Sequence, residues 1–126
     1  MLTSAPVSAS LPVVDLERAK KFYQDTLSLK LAEEKANEFA MFECGNGTNL
    51  VLFPRAPTKA DHTVASFEVQ NIELVVRGLE VKGVKFQDYD SPEIKTVNHI
   101  ATAGSIKGAW FVDTEGNILG IFQRIS

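Results

Sequence analysis

The chain repeats itself, and that repeat limits its possible folds more than any other feature of the sequence. Val14-Asp15-Leu16-Glu17 recurs as Gln70-Asn71-Ile72-Glu73, an offset of 56 from Asp15 to Asn71. Phe42 to Leu50 (FECGNGTNL) recurs as Phe111 to Leu119 (FVDTEGNIL), an offset of 69. Identities are few, but the apolar, turn and glycine positions coincide. The second copy is longer by 13 residues, and the extra length falls between Gln87 and Gly104.

Each copy reads as a βαβββ unit. A strand (Val7 to Val14; Thr63 to Val69) meets Asp15 or Asn71, both favourable helix N-caps. The helix that follows places Leu16, Ala19, Phe22 and Tyr23 on one face in the first copy, and Ile72, Val75, Val76 and Leu79 in the second. Gly83 is a natural stop for the second helix. Three strands close each unit: about 30–34, 37–44 and 48–53, then about 84–87, 105–113 and 117–124. With 126 residues the chain has material for one core and not for two independent ones. The expectation is a single soluble domain, 1–126, with module one at about 5–54, a linker at 55–61 and module two at about 62–126.

Composition narrows the function classes. A net charge of −3, with Lys and Arg scattered, gives no footprint for nucleic acid or for a membrane surface. No apolar stretch approaches the ~18 residues of a spanning helix, and Met1 to Ala9 lacks the features of a secretory signal. The one cysteine, Cys44, has no internal partner, which fits a cytoplasmic protein.

The glycines register the hairpins. A type I turn ending in a G1 bulge needs a positive φ at its last residue, and Gly47 and Gly116 suit that place. Three-residue loops then oppose Met41 to Val51, Phe39 to Phe53 and Glu43 to Asn49. In the second copy they oppose Trp110 to Gly120, Val112 to Ile118 and Gly108 to Phe122. The other face becomes Ala40, Phe42, Leu50 and Leu52, with Ala109, Phe111, Leu119 and Ile121 in the second copy. It is wholly apolar, as a helix-covered face should be. Ala9, Leu11 and Val13, and likewise Ala65, Phe67 and Val69, lean on the helices. The uncovered faces carry small, mixed residues, which leaves room for a ligand.

Two stretches, LPVVDLERAKKFYQDTL (11–27) and AWFVDTEGNIL (109–119), resemble the vicinal oxygen chelate superfamily, the glyoxalase, bleomycin-resistance and extradiol dioxygenase group. The first matches that family's strand, its Asp-Leu-x-Arg-Ala helix start and its Phe-Tyr pair. The second matches its strand, turn and closing strand, with Thr114 in place of the usual proline. With the repeat, the resemblance covers essentially the whole chain. It implies an α+β fold in which two tandem βαβββ modules form a curved mixed sheet around a cleft, and a homodimer.

Metal-using members of that family carry His or Gln seven residues before the Asp of the helix start, and Glu or His four residues beyond the turn glycine. Carried over, these positions fall on Ser8 and Val51, and in the second module on Val64 and Gly120. One weak hydroxyl, two isopropyl groups and a bare backbone offer no ligand set for a divalent transition metal. The reading is a protein without metal or other cofactor.

The ligand-lining residues expected are Ser8, Ser10, Phe39, Met41, Val51 and Phe53 in module one, and His62, Val64, Trp110, Gly120 and Phe122 in module two. Trp110 opposite Gly120 reads both as an indole repairing a sheet at a glycine and as the floor of an aromatic pocket. His62, His99 and Glu43 are the catalytic candidates, the histidines because imidazole titrates near neutrality. The segment from Gln87 to Gly104 reads as a surface excursion or a lid. Three functions remain: a metal-free small-molecule binder taking an apolar or aromatic ligand, a metal-independent lyase or isomerase using His62 or His99, and a non-catalytic assembly or regulatory subunit. The binder ranks first.

Overall fold

In the computed structural model, which describes residues 1–125, strands and helices outside the 87–104 stretch begin within two residues of where the repeat places them. The chain forms two compact units: Met1–Lys59 together with Thr114–Gly116, and Ala60–Asp113 together with the residues from Asn117 onward. The fold is α+β with mixed sheets.

The first unit contains β1 (Ser8–Val13), α1 (Leu16–Lys21), β2 (Lys30–Lys35), β3 (Phe39–Glu43) and β4 (Asn49–Pro54). Its four strands run in the order β1-β4-β3-β2. The parallel β1–β4 pair aligns Ser10 with Val51, and the antiparallel β3–β4 pair aligns Met41 with Val51 and Glu43 with Asn49. Asp15 caps α1 by accepting from the Arg18 N–H at 3.0 Å. The helix then widens into a π turn over Phe22–Thr26, which buries Tyr23 completely, 6.1 Å from the Phe42 ring. Leu11, Val13, Ala19, Ala40, Phe42, Leu50 and Leu52 complete this core.

Glu115 belongs to the first unit. Its buried carboxylate accepts the Val14 and Asp15 N–H groups, both at 2.9 Å, and pairs with Arg18 through Nε at 2.7 Å and Nη2 at 3.0 Å.

The second unit contains β5 (Thr63–Glu68), α2 (Ile72–Val81), β6 (Phe86–Gln87), β7 (Thr96–Val97), β8 (Ile100–Ala103), β9 (Ile106–Val112) and β10 (Ile118–Arg124). The order is β5-β10-β9-β8-β7, and β6 shares the outer edge of β9 with β8. Asn71 caps α2 by accepting from the Leu74 N–H, and Gly83, at φ 92°, ends it. The expected register is present: Trp110 faces Gly120, Val112 faces Ile118 and Gly108 faces Phe122. The helix-covered residues Ala109, Phe111, Leu119 and Ile121 are buried. In the parallel β5–β10 pair Ser66 aligns with Gly120, which is the Ser10–Val51 alignment of the first unit at the repeat offsets.

Two expectations need correction. The first hairpin does not turn through a type I turn with a G1 bulge. Asn46 and Gly47 both have positive φ (56° and 75°), and Thr48 N–H donates to the Gly45 carbonyl at 3.1 Å. That is a type I′ turn, the usual choice of an Asn-Gly pair in a twisted hairpin. In the second hairpin only Gly116 is positive (91°), as expected there. The stretch from Gln87 to Gly104 is also more than an excursion, because it folds into the β7–β8 hairpin. Its turn is Asn98-His99, at φ 53° and 72°.

Candidate functional site

Strand alternation divides the second sheet. Ala109 and Phe111 point to α2, and Gly108 and Trp110 point the other way. Three positions on that open face carry little or nothing: Gly108, its partner Ala101, and Gly120 opposite Trp110. The indole fills the space they leave. A Cβ at position 108 would sit 3.2 Å from its Cη2 and Cζ2, and one at position 120 would sit 3.5 Å from its Cδ1. Trp110 therefore lies flat along the sheet from one glycine to the other. The Tyr89 ring meets it edge-on, centroids 5.5 Å apart at 87°, and the Tyr89 hydroxyl donates to Gln87 Oε1 at 2.7 Å.

Above this floor is a hollow of about 590 Å³. Trp110, Gly120 and Phe122 lie at its base, and the Ser91–Lys95 segment, Ala101, Ala103 and Ile106 form its wall. Its size falls within the roughly 300–1,000 Å³ of small-molecule sites. The lining is largely apolar with a few polar residues, among them Ser66, Ser91 and, toward solvent, Glu93 and Lys95. The Arg124 guanidinium stands 5.8 Å from the Phe122 ring centroid and pairs with Glu68 at 3.1 Å.

The other residues singled out from sequence lie as follows. Ser8, Ser10, Met41 and Val51 share the open face of the first unit's sheet, exposed or half-buried, with half-buried Phe39 and Phe53 at its β3 and β4 ends. Val64, unpaired at the register shift of β5 against β10, is 36% exposed and is not part of the hollow's lining. None of the three catalytic candidates reaches the hollow. His62 precedes β5 with its side chain 76% exposed, its Nδ1 2.6 Å from Asp61, and that contact holds the Asp61 carboxyl below its ordinary value. Glu43 is exposed, 3.7 Å from Lys30 Nζ. His99 lies on the α2 side of the sheet, between Asp88 and Glu80.

Sequence reasoning missed Ser66, Ile94, Ala101, Ala103 and Ile106 as lining residues. The small-residue run Ala101-Thr102-Ala103 before a glycine was the available signal.

The four positions that the resemblance assigns to metal ligands offer a hydroxyl at Ser8, isopropyl groups at Val51 and Val64, and no side chain at Gly120. A register shift in β5 puts Thr63 rather than Val64 opposite Ile118, the place that Ser8 takes opposite Asn49, and threonine adds only a second hydroxyl. Gly120 is also crowded, since a Cβ there would come within 2.7 Å of Ser66 Oγ. This set does not fit a divalent transition metal. Among the described residues, no three His, Cys, Asp or Glu side chains are grouped so that they could hold one. No helix among those residues is long and apolar enough to cross a membrane.

Comparison with known proteins gives a consistent fold. A model of the bleomycin resistance protein-like N-terminal family matches residues 7–45. An integron cassette protein from the mobile metagenome of the Halifax Harbour sewage outfall shares 20% identity at a TM-score of 0.70, covering 95% of this chain and 98% of its own. TnmS3, an antibiotic binding protein from a Streptomyces species, shares 23% at 0.70, covering 98% of each chain. A lactoylglutathione lyase from Agrobacterium tumefaciens shares 18% at 0.71, covering 98% of this chain and 96% of its own. No curated protein matches in sequence.

Proposed function

We propose that this chain, a vicinal oxygen chelate protein by fold, is a metal-free small-molecule-binding protein that holds a flat, apolar or aromatic ligand on Trp110 in the hollow of its second unit. The observation that carries the reading is the indole laid across two glycines beneath a largely apolar hollow of about 590 Å³. An aromatic face that the sheet itself keeps clear is a platform for stacking. TnmS3, a protein of the same fold, is an antibiotic binding protein, which supports small-molecule binding in general. Catalysis has less support, because His62, His99 and Glu43 all stand away from the hollow. The reading includes a homodimer and a cytoplasmic location, the second resting on a lone, half-buried Cys44.

The test is calorimetric titration with anilinonaphthalene sulfonate, a flat aromatic probe. We expect saturable binding at one site per chain. Ala103→Phe, a substitution at an exposed wall position, should weaken it about tenfold, equivalent to ~1.4 kcal/mol. Binding that ignores Ala103→Phe, or no saturable binding, would overturn the assignment.

A further inference from the structure

The β7–β8 hairpin wraps one side of the hollow, and its turn is held from the other side of the sheet. A two-residue type I′ turn requires positive φ at both central residues. Residues other than glycine are uncommon there, and Asn and His are among those that accept it most readily. The ring of His99 has anchors that hold it. Nδ1 lies 2.9 Å from Asp88 Oδ1, just beyond β6, and Nε2 lies 3.2 Å from Glu80 Oε2 on α2. The imidazole stacks on Phe86 of β6, centroids 5.6 Å apart at 24°. The other charged groups of this groove are Glu73 and Arg77 of α2, and Glu73 is itself bound by Lys107 of β9 at 2.7 Å.

A neutral imidazole has one N–H and can donate to only one of the two carboxylates. The imidazolium donates to both. Both ring nitrogens face carboxylates, so the arrangement is the one the charged ring prefers. From there a chain of contacts leads to the floor. Asp88 Oδ1 also accepts from Thr96 Oγ1 at 3.2 Å, Thr96 Oγ1 accepts the Tyr89 N–H at 2.9 Å, and the Tyr89 ring abuts Trp110.

We propose that His99 is a proton-operated clasp: its charged ring ties the β7–β8 hairpin to α2, and its deprotonation loosens the hairpin wall and the Tyr89 support of Trp110. The consequence for ligand affinity rests on the binding reading above; the clasp itself does not. The hydrogen bond that His99 donates to Asp88 holds the imidazole above the ordinary 6.5, against the opposing effect of burial, and Glu80 adds to it. His99 acts through the hairpin and is a positioning residue.

Trp110 is the only tryptophan of the chain, so its emission is a direct readout. The experiment follows that emission without ligand from about pH 5 to 9, the range a histidine spans, together with hydrogen exchange of residues 88–104, corrected for intrinsic rates. We expect an inflection with a midpoint above the ordinary histidine value, and weaker protection of the hairpin on its alkaline side. His99→Gln should abolish the inflection, Asp88→Asn should move it to lower pH, and His62→Ala should leave it in place. An inflection that survives His99→Gln, or a hairpin whose protection ignores pH, would overturn the clasp. Repeating the anilinonaphthalene sulfonate titration on both sides of the midpoint separates the two proposals. A probe that never binds while the inflection persists overturns only the ligand reading. A probe that binds equally at both pH values, with no inflection, overturns only the clasp.

Discussion

Glu115 is an acid with no exposed side-chain surface, and its stability contribution can be signed from its surroundings. Burial alone would raise its pKa. Arg18, the Asp15 N–H, the Thr114 hydroxyl and the Val14 N–H outweigh burial and hold it at about 2, below the ordinary 4.5. A carboxyl depressed by folding contributes stability that is complete above its unfolded value and is lost as pH falls through its folded one. The window is therefore from about 4.5 down to about 2. At 1.36 kcal/mol per pKa unit the gain would be about 3 kcal/mol. Arg18 is half exposed, so solvent screening reduces the figure to about 2 kcal/mol. Urea unfolding at pH 7 should show Glu115→Gln less stable by about that amount, and the difference from wild type should shrink toward pH 3. A constant difference would place the acid sensitivity elsewhere. Gly120 makes a second test. Its absent Cβ would meet Ser66 Oγ at 2.7 Å, a contact that side-chain rotation or removal relieves. Gly120→Ala should cost about 1 kcal/mol, and adding Ser66→Ala should recover most of it, a coupling typical of residues in contact. Additive effects would mean that the hydroxyl is not the obstacle.

Element by element, legibility followed the range of the signal. Asp15 and Asn71 were readable as caps because a cap is a local hydrogen bond, to Arg18 and Leu74 here. The hairpin register was readable because a shift of one residue would have turned Ala40, Phe42, Leu50 and Leu52 outward, and those residues are buried. The same register put Trp110 opposite Gly120, so part of the hollow's floor was legible. Its wall was not. β7 has two residues and β8 four, and their turn lacks the glycine that usually marks a type I′ hairpin. His99 holds its positive φ through Asp88, Glu80 and Phe86, contacts from elements up to 19 residues away that local pattern does not show. The first turn was misread for a different reason: Asn46-Gly47 fits either geometry on glycine placement alone. Its type I′ form makes a prediction of its own. A left-handed residue other than glycine costs roughly 1–2 kcal/mol, with Asn the frequent exception. Asn46→Ala and Gly47→Ala should each lower stability by about 1 kcal/mol, while Gly45→Ala, whose Cβ would meet nothing within 4 Å, should be nearly neutral. Under a type I turn with a G1 bulge, Asn46→Ala would be harmless, so thermal unfolding of the three variants decides the turn type.

Over the whole chain, the repeat carries a consequence for metal dependence. The two units share a register where Ser10 meets Val51 and Ser66 meets Gly120, and a shift in β5 sets Thr63, not Val64, opposite Ile118 as Ser8 stands opposite Asn49. The positions that the resemblance assigns to metal ligands supply no imidazole, thiolate or carboxylate. A protein that folds around a metal gains stability by mass action, about 2.7 kcal/mol when the metal stands at a hundred times its dissociation constant. For a chain of this size, stripping such a metal would lower the melting temperature by several degrees, at roughly 2–8 °C per kcal/mol. The proposed metal-free reading expects no such loss. Calorimetric melting with and without a chelator should therefore agree within about 1 °C, and elemental analysis should find far less than one transition metal per chain. The reciprocal experiment sharpens the point. Adding zinc, manganese or nickel should leave the melting curve unmoved, whereas anilinonaphthalene sulfonate should raise it in a concentration-dependent way, and less so in Ala103→Phe. A chelator-induced drop of several degrees would overturn the metal-free assignment and turn attention to carboxylates and histidines outside the four family positions. A melting curve that responds to the aromatic probe and not to the metals would support a second unit that presents an indole platform in place of a metal site.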